Sequence, residues 1–280
     1  MQFGVTMFPA DYAIPVPELA REVEARGFDS LWLPEHTHIP TNRATPFPGG
    51  GELPEEYKHT LDPFVALAAA SAVTSTLKLG TGILLLIQRD PIVTAREVAS
   101  LDLLSNGRVE LGIGAGWNRE EIANHGVEYP KRWRVMRERV LAMKALWTSD
   151  EAEYHGEFVD FDPVWQWPKP VQSPHPPIVI GGDGPKATEA LLEYGDAWIP
   201  RANRGDAPLE RRIADMNRLL AEHGRGAVPI SIFGAPTDPD ILVQYRRLGV
   251  TRSVFRLPPA DADTVLPILD QYTELVKQLA

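Results

Sequence analysis

The chain has 280 residues, 44% hydrophobic and 24% charged, with a formal net charge of −10 and no cysteine. The absence of cysteine removes disulfides, thiolate metal sites and a thiol nucleophile, and no Lys/Arg cluster interleaved with aromatics offers a nucleic-acid face. No apolar run reaches the ~18 residues of a membrane helix, and the opening MQFGVTMFP lacks the basic-then-apolar order of a secretory leader, so a cytoplasmic protein without membrane or nucleic-acid partners is expected.

Residues 2–8 (QFGVTMF) and 29–34 (DSLWLP) predict the first two strands, with Gly27 stopping the helix between them. A connection over about 36–61 follows the second strand and is too long for a plain turn, so it reads as a lid. Asp62-Pro63 opens a helix by placing an N-cap before a proline at the first helical position, and Asp90-Pro91 repeats the device after a strand at 77–85. The second of these helices stops at Gly107, ahead of a strand at 108–114. Trp133, Met136, Val140, Met143 and Trp147 recur at steps of three and four and form one apolar helix stripe. A second long connection, about 149–176, carries the alternating 154-YHGEFVDF-161, which predicts a hairpin around His155-Gly156.

Strands at 177–182, 196–200, 229–234 and 253–257 complete the set, with Gly195 at a helix stop. Val265, Ile268, Tyr272, Leu275 and Leu279 stripe the last helix. Most strands are continuous apolar runs, as parallel strands buried on both faces require. Eight strands, each followed by a helix, predict an α/β fold: one (β/α)8 TIM-barrel domain over residues 1–280, with long loop insertions at its C-terminal face. A doubly wound sheet is the alternative, and no G-x-G-x-x-G follows the first strand to support it.

Barrel enzymes build their sites at the C-terminal strand ends. Strand two ends in 34-PEHTH-38, where His36 suits general acid–base work near pH 7. A metal site on His36 and His38 needs ligands from other strand ends, which offer Gly181-Gly182, Pro200-Arg201 and Arg256-Leu257, with Asp183 the one carboxylate. No metal is expected, and a metal-dependent hydrolase stands only as an alternative. The turn 181-GGDGPK-186 runs into a helix with Pro185 at its first position, a geometry that binds phosphate, provided that Asp183 points outward. After strand four, Gly112, Gly114 and Gly116 leave room for a flat ring. Trp117 walls a pocket or covers the rim, and Asn118 with Glu121 reads as a helix cap, Glu121 being structural.

The stretches 88-QRDPIVTAREVASLDLLSNGRVELGIGAGWNREE-121, 176-PPIVIGGDGPKATEALLEYGDAWIP-200 and 28-FDSLWLPEH-36 resemble the luciferase-like flavin and deazaflavin oxidoreductases, up to about residue 200. The resemblance implies a cofactor ring at the barrel mouth, backed by Thr81, Gly82 and Ile83 with a cis peptide at Gly82-Ile83. It implies Ala115 and Gly116 along the cofactor, Gly181, Gly182, Gly184 and Pro185 at its phosphate, and Glu35-His36 near the ring, His36 handling the proton. His38, Tyr57 and Trp117 are the substrate-pocket candidates, with Phe47 adding apolar surface. The closer likeness is to the deazaflavin branch, hence coenzyme F-420, a hydride carrier, with a small organic substrate and a homodimer to which two long helices supply the interface. FMN is the alternative cofactor, which would support monooxygenation with reduced flavin from a partner reductase; a cofactor-binding protein without turnover is a further reading. Two departures stand out: Trp117 replaces the glutamate of sugar-phosphate dehydrogenase relatives, and Asp183 replaces a small hydroxyl residue.

Overall fold

Alternating apolar runs and capped helices give the following order in a computed structural model that describes residues 1–203 and 207–279. The chain runs through β1 (Gln2–Thr6), α1 (Val16–Ala25), β2 (Ser30–Leu33), α2 (Pro63–Ser71), β3 (Lys78–Thr81), α3 (Pro91–Leu104), β4 (Val109–Ile113), α4 (Arg119–Asn124) and α5 (Arg132–Thr148). It continues through a hairpin, β5 (Ala152–His155) and β6 (Asp160–Val164), then β7 (Ile178–Gly181), α6 (Pro185–Glu193), β8 (Ala197–Ile199), α7 (Leu209–Glu222), β9 (Ser231–Phe233), α8 (Pro239–Arg247), β10 (Arg252–Arg256) and α9 (Ala262–Gln278).

Eight strands lie in the order β8-β7-β4-β3-β2-β1-β10-β9, and their ladders are parallel. The two ends of that sheet meet: Trp198 N donates to the Pro229 carbonyl at 3.0 Å and Phe233 N to the Pro200 carbonyl at 2.9 Å. The fold is therefore a (β/α)8 barrel. Side-chain alternation sorts the strand residues into two layers. Leu31 and Leu33, Ile178 and Ile180 join the large core between strands and helices. Trp32, Val179, Ala197, Ile199 and Val254 fill the barrel interior, with Ile83 and Phe233 packed against them.

The start signals act as expected. The Asp62 carboxylate accepts from Phe64 N and Val65 N, and Asp90 accepts from Val93 N. Gly27 and Gly107 adopt φ of +79° and +75° beyond their helices. Gly195 has a different reason for being small: a Cβ there would lie 2.4 Å from the Ile180 side chain. The expected strand 77–85 is shorter than read, ending at Thr81. Beyond it come the cis peptide Gly82-Ile83 and a 3-10 turn at Leu86–Gln88.

The 149–176 insertion is also corrected. It joins a helix to the next strand, and so leads towards the N-terminal strand ends rather than lying at the mouth. Glu138 of α5 accepts from Glu157, Phe158 and Val159 N, and Asp102 of α3 accepts from Val171 and Gln172 N. Both anchors hold it along the barrel's flank. No described helix is long and apolar enough to cross a membrane.

At the N-terminal end, an ion cluster closes the barrel. Arg252, 5% exposed, donates to Asp29 (Nε 2.9 Å, Nη2 2.8 Å) and to Glu110 (Nη1 2.8 Å, Nη2 2.9 Å), and its guanidinium lies 5.5 Å from the Trp32 ring centroid. Burial works against both charges, but the pairing outweighs it: Glu110 is held below the ordinary carboxyl range and Arg252 above the ordinary guanidinium range.

Candidate active site

The C-terminal strand ends surround a cavity of about 880 Å³. Its floor is Ile83, the residue after the cis peptide, together with Phe233. Three strand-end glycines take on a meaning different from the one expected. A Cβ on Gly114 would fall 2.7 Å from Ile83 Cδ1, and one on Gly181 would fall 2.8 Å from Ile83 Cγ2; on Gly112 it would fall 2.0 Å from the Thr81 carbonyl. Gly114 and Gly181 thus seat the Ile83 side chain and Gly112 admits the neighbouring strand, while Gly114, Gly116, Gly181 and Gly182 all border the cavity. Ala115, Trp117 and Gly82 border it as well.

His36 reaches the cavity from the end of β2. Its Nδ1 lies 2.9 Å from Glu121 Oε2, and Thr37 N donates to Glu121 Oε1 at 3.2 Å. Glu121 is 1% exposed and the His36 side chain 7%. A carboxylate can only accept here, so Nδ1 carries the hydrogen, and Nε2 has no protein partner among the described residues. Reading Glu121 as purely structural therefore needs correcting. Asn118 does cap α4, its Oδ1 accepting from Glu121 N at 3.4 Å, but the Glu121 carboxylate turns to the β2 end instead of reaching back to the cap. The signal was present as a carboxylate in the first turn of the helix after a barrel strand; the capping pattern masked it.

Glu35 borders the cavity, but its carboxylate is committed elsewhere. Oε2 accepts from Leu85 N at 2.7 Å and Oε1 from Arg89 Nε at 2.7 Å, while Arg89 also pairs with Asp62 and Glu97. Burial pushes the Glu35 carboxyl above its ordinary value, against the pull of Arg89. Glu35 fixes the turn that carries Ile83.

Four other expected site residues stand away from the cavity. The Thr81 hydroxyl is buried and donates to the Gly112 carbonyl at 2.7 Å. His38 is held outside by Thr37 Oγ1 and Asn124 Nδ2, both at 2.9 Å, with His125 beside it. Gly184 is the N-cap of α6 and Pro185 its first residue, behind the rim that Gly181 and Gly182 form. Asp183 points away from that rim: it accepts from Arg201 N and Nε (3.1 and 2.9 Å) and from Arg212 Nη1 (2.8 Å), so two guanidinium groups offset its charge. In the segment 198-WIPRANR-204, Arg201 and Asn203 reach the cavity, and Arg204 lies outside the described residues. Arg256, unremarked as a site residue, ends β10 at the cavity. A charged residue closing a buried strand was the available signal.

The 36–61 connection roofs the cavity. Glu120 at the start of α4 accepts from Ala44 N and Thr45 N at 3.1 and 3.2 Å and tethers the loop. Phe47 and Tyr57 hang from it, their centroids 5.3 Å apart. Tyr57 lies 4.9 Å from the His36 ring and 4.6 Å from Phe8; Trp117 lies 5.8 Å from His36 and 6.0 Å from Phe47. Among the described residues no three His, Asp or Glu converge as a metal site.

The family model of luciferase-like monooxygenases matches residues 7–238. The chain belongs to this family. An uncharacterised protein of Mycobacterium tuberculosis (strain ATCC 25618 / H37Rv) is 42% identical over 268 residues, 94% of each chain. Two shorter matches differ in the cofactor that they name. An F-420-dependent glucose-6-phosphate dehydrogenase of Amycolatopsis mediterranei is 32% identical over 195 residues (67% of this chain, 53% of the relative). An FMNH2-dependent dimethylsulfone monooxygenase of Pseudomonas putida is 29% identical over 145 residues (51% and 39%). Among solved structures, monooxygenase RslO1 from Streptomyces bottropensis shares the fold over all of both chains, with a TM-score of 0.80 at 19% identity. This luciferase-like chain is thus an oxidoreductase-type enzyme whose relatives are named for F-420 or reduced FMN.

Proposed function

We propose that this protein is an F-420-dependent oxidoreductase acting on a small organic substrate, with His36 handling the proton that accompanies hydride transfer. The observation that carries the reading is the His36–Glu121 pair: an imidazole with one nitrogen anchored on a buried carboxylate and the other without a partner among the described residues, beside a floor made by Ile83. The cavity fits a deazaflavin in three respects. It is large enough for a ring and a substrate together, Ile83 forms an apolar support, and the rest of the rim combines bare backbone at Gly181 and Gly182 with Arg201 and Arg256, suited to an anionic tail. When bound, a deazaflavin supplies a carbon that exchanges hydride with substrate.

The residues around it would then divide the work. His36 Nε2 takes the proton of a substrate hydroxyl as its carbon is oxidised, or returns it to a carbonyl oxygen in the reverse direction. Glu121 holds the ring orientation through Nδ1–H and stabilises the imidazolium. The 36–61 roof keeps water from the reacting atoms. Titration of the purified protein with F-420 and with FMN, followed by cofactor fluorescence, tests the reading. Micromolar binding of F-420 is expected; tight binding of FMN alone would overturn it.

The Pseudomonas relative favours a second reading, an FMN-dependent monooxygenase supplied by a partner reductase. Oxygen-dependent product formed with supplied FMNH2 would select it. A homodimer is also part of the proposal, supported by Val65, Val93 and Leu104, which stand exposed on α2 and α3; sedimentation velocity checks it.

A further inference from the structure

One arc of the mouth is aromatic. Phe8 follows β1, His36 and the roof follow β2, and Trp117 follows β4; Phe8, Phe47, Tyr57 and Trp117 all border the cavity on this side. Their linked ring contacts, 4.6 to 6.0 Å between centroids, form an aromatic cage beside the His36 imidazole. Two carboxylates stand beside this arc: Glu56 borders the cavity from the roof, and Glu121 lies behind His36; the Arg43 guanidinium, 5.7 Å from the Trp117 centroid, is not part of the cavity lining. Of the cavity's guanidinium groups, Arg201 lies across the barrel and Arg256 on the strand next to the one that leads to Phe8. Arg201 follows β8, four strands round the barrel from β2, and is already paired with Asp183. Arg256 ends β10, two strands from β2.

An anionic substrate at His36 would therefore lose its hydration against aromatic rings and face two carboxylates. A neutral one would bury its hydrocarbon part and keep a single hydrogen bond to the imidazole. We infer that the substrate is a neutral, predominantly apolar alcohol, or the ketone or aldehyde that corresponds to it, whose ring or hydrocarbon chain packs among Phe8, Phe47 and Trp117 with its oxygen at His36. This inference rests on the oxidoreductase reading for the chemistry and on the cage for the substrate class. The reaction balances without a further reactant: the carbinol C–H leaves as hydride to the deazaflavin, the O–H proton goes to His36 Nε2, and the C=O bond forms. Each methylene buried in the cage is worth about fourfold in affinity.

The test compares matched probes on the full chain, with and without F-420, by ligand-observed NMR titration. 1-Phenylethanol and mandelate differ in a methyl replaced by a carboxylate, and glucose 6-phosphate represents the substrate named for the Amycolatopsis relative. We expect 1-phenylethanol to bind at least about tenfold more tightly than either anion, with Trp117→Ala weakening it by about tenfold and Phe47→Ala by about threefold. Phe47 hangs from the roof loop, so its variant reports on the cage even where Trp117→Ala fails to fold. Tighter binding of mandelate or glucose 6-phosphate, dependence of that binding on Arg256, or an affinity for 1-phenylethanol that ignores both truncations overturns the inference. Binding of 1-phenylethanol without F-420 binding would remove the cofactor reading and leave the cage standing; F-420 binding without 1-phenylethanol binding would do the reverse.

Discussion

Both ends of this barrel bury charge, and they do it differently. At the N-terminal end, Arg252 spends its donors on Asp29, Glu110 and the Ser231 hydroxyl. At the C-terminal end, the buried Glu121 engages one His36 nitrogen and leaves the other to the cavity. A closed network holds structure together; a buried network with one free valence facing a cavity has something left to do. The same contrast separates Glu35, whose carboxylate is used up by Arg89 and Leu85 N, from its neighbour His36.

The sharpest way to break that contrast is His36→Ala. Turnover should fall by about 10²- to 10⁴-fold, as for loss of a general acid–base, with F-420 affinity nearly unchanged and a smaller loss of stability than Arg252→Met, since Glu121 keeps Thr37 N; unchanged turnover would make His36 a structural residue. The converse is Arg252→Met, which leaves the partly buried Asp29 without its cation and Glu110 with Lys78 alone. Urea unfolding should show a loss of about 3–5 kcal/mol, while F-420 titration shows wild-type affinity.

Glu121→Gln probes the link between the two roles. The amide can donate to Nδ1 and so stabilise the wrong tautomer. We expect kcat to drop by about 10- to 100-fold with KM held and the pH profile shifted, as when a partner that orients a histidine is lost. An unchanged profile would leave Glu121 a structural tie between α4 and the end of β2.

The smallest effect concerns acid stability at the closed end. Glu24 of α1 accepts from Ser75, Thr76 and Leu77 N ahead of β3. Burial is the largest single influence and raises its carboxyl, but those bonds, together with one from the Thr76 hydroxyl, outweigh it and hold it down at about 2, against 4.5 unperturbed. Depressed carboxyls such as Glu24 and Glu110 add stability above the unfolded value, and that stability is lost as pH falls from 4.5 towards 2. Glu24→Gln should flatten this part of the urea-midpoint curve only modestly, because Glu24 is largely solvated.

Much of the barrel was legible because its signals are local. Asp-Pro starts, a glycine after a helix and apolar runs act through backbone geometry within a few residues, and Asp62, Asp90, Gly27 and Gly107 perform as their neighbours imply. His36 was likewise readable from its place at a strand end. The glycines after β4 were legible as room but not as room for what. Only the approach of β3 to β4 and β7 shows that Gly112 admits a carbonyl and that Gly114 and Gly181 seat Ile83.

Sequence by itself determined the alternation of strands and helices, the family, and the set of residues available at the mouth. Tertiary structure alone decided which of them meet. Glu121 and His36 are 85 positions apart and Trp117 and Phe47 are 70, and no local pattern specifies a direction between side chains carried on different strands. A capping carboxylate and one that orients a histidine look identical along the chain. They differ only in where closing the barrel brings the second strand end, since that decides which donor the carboxylate finds.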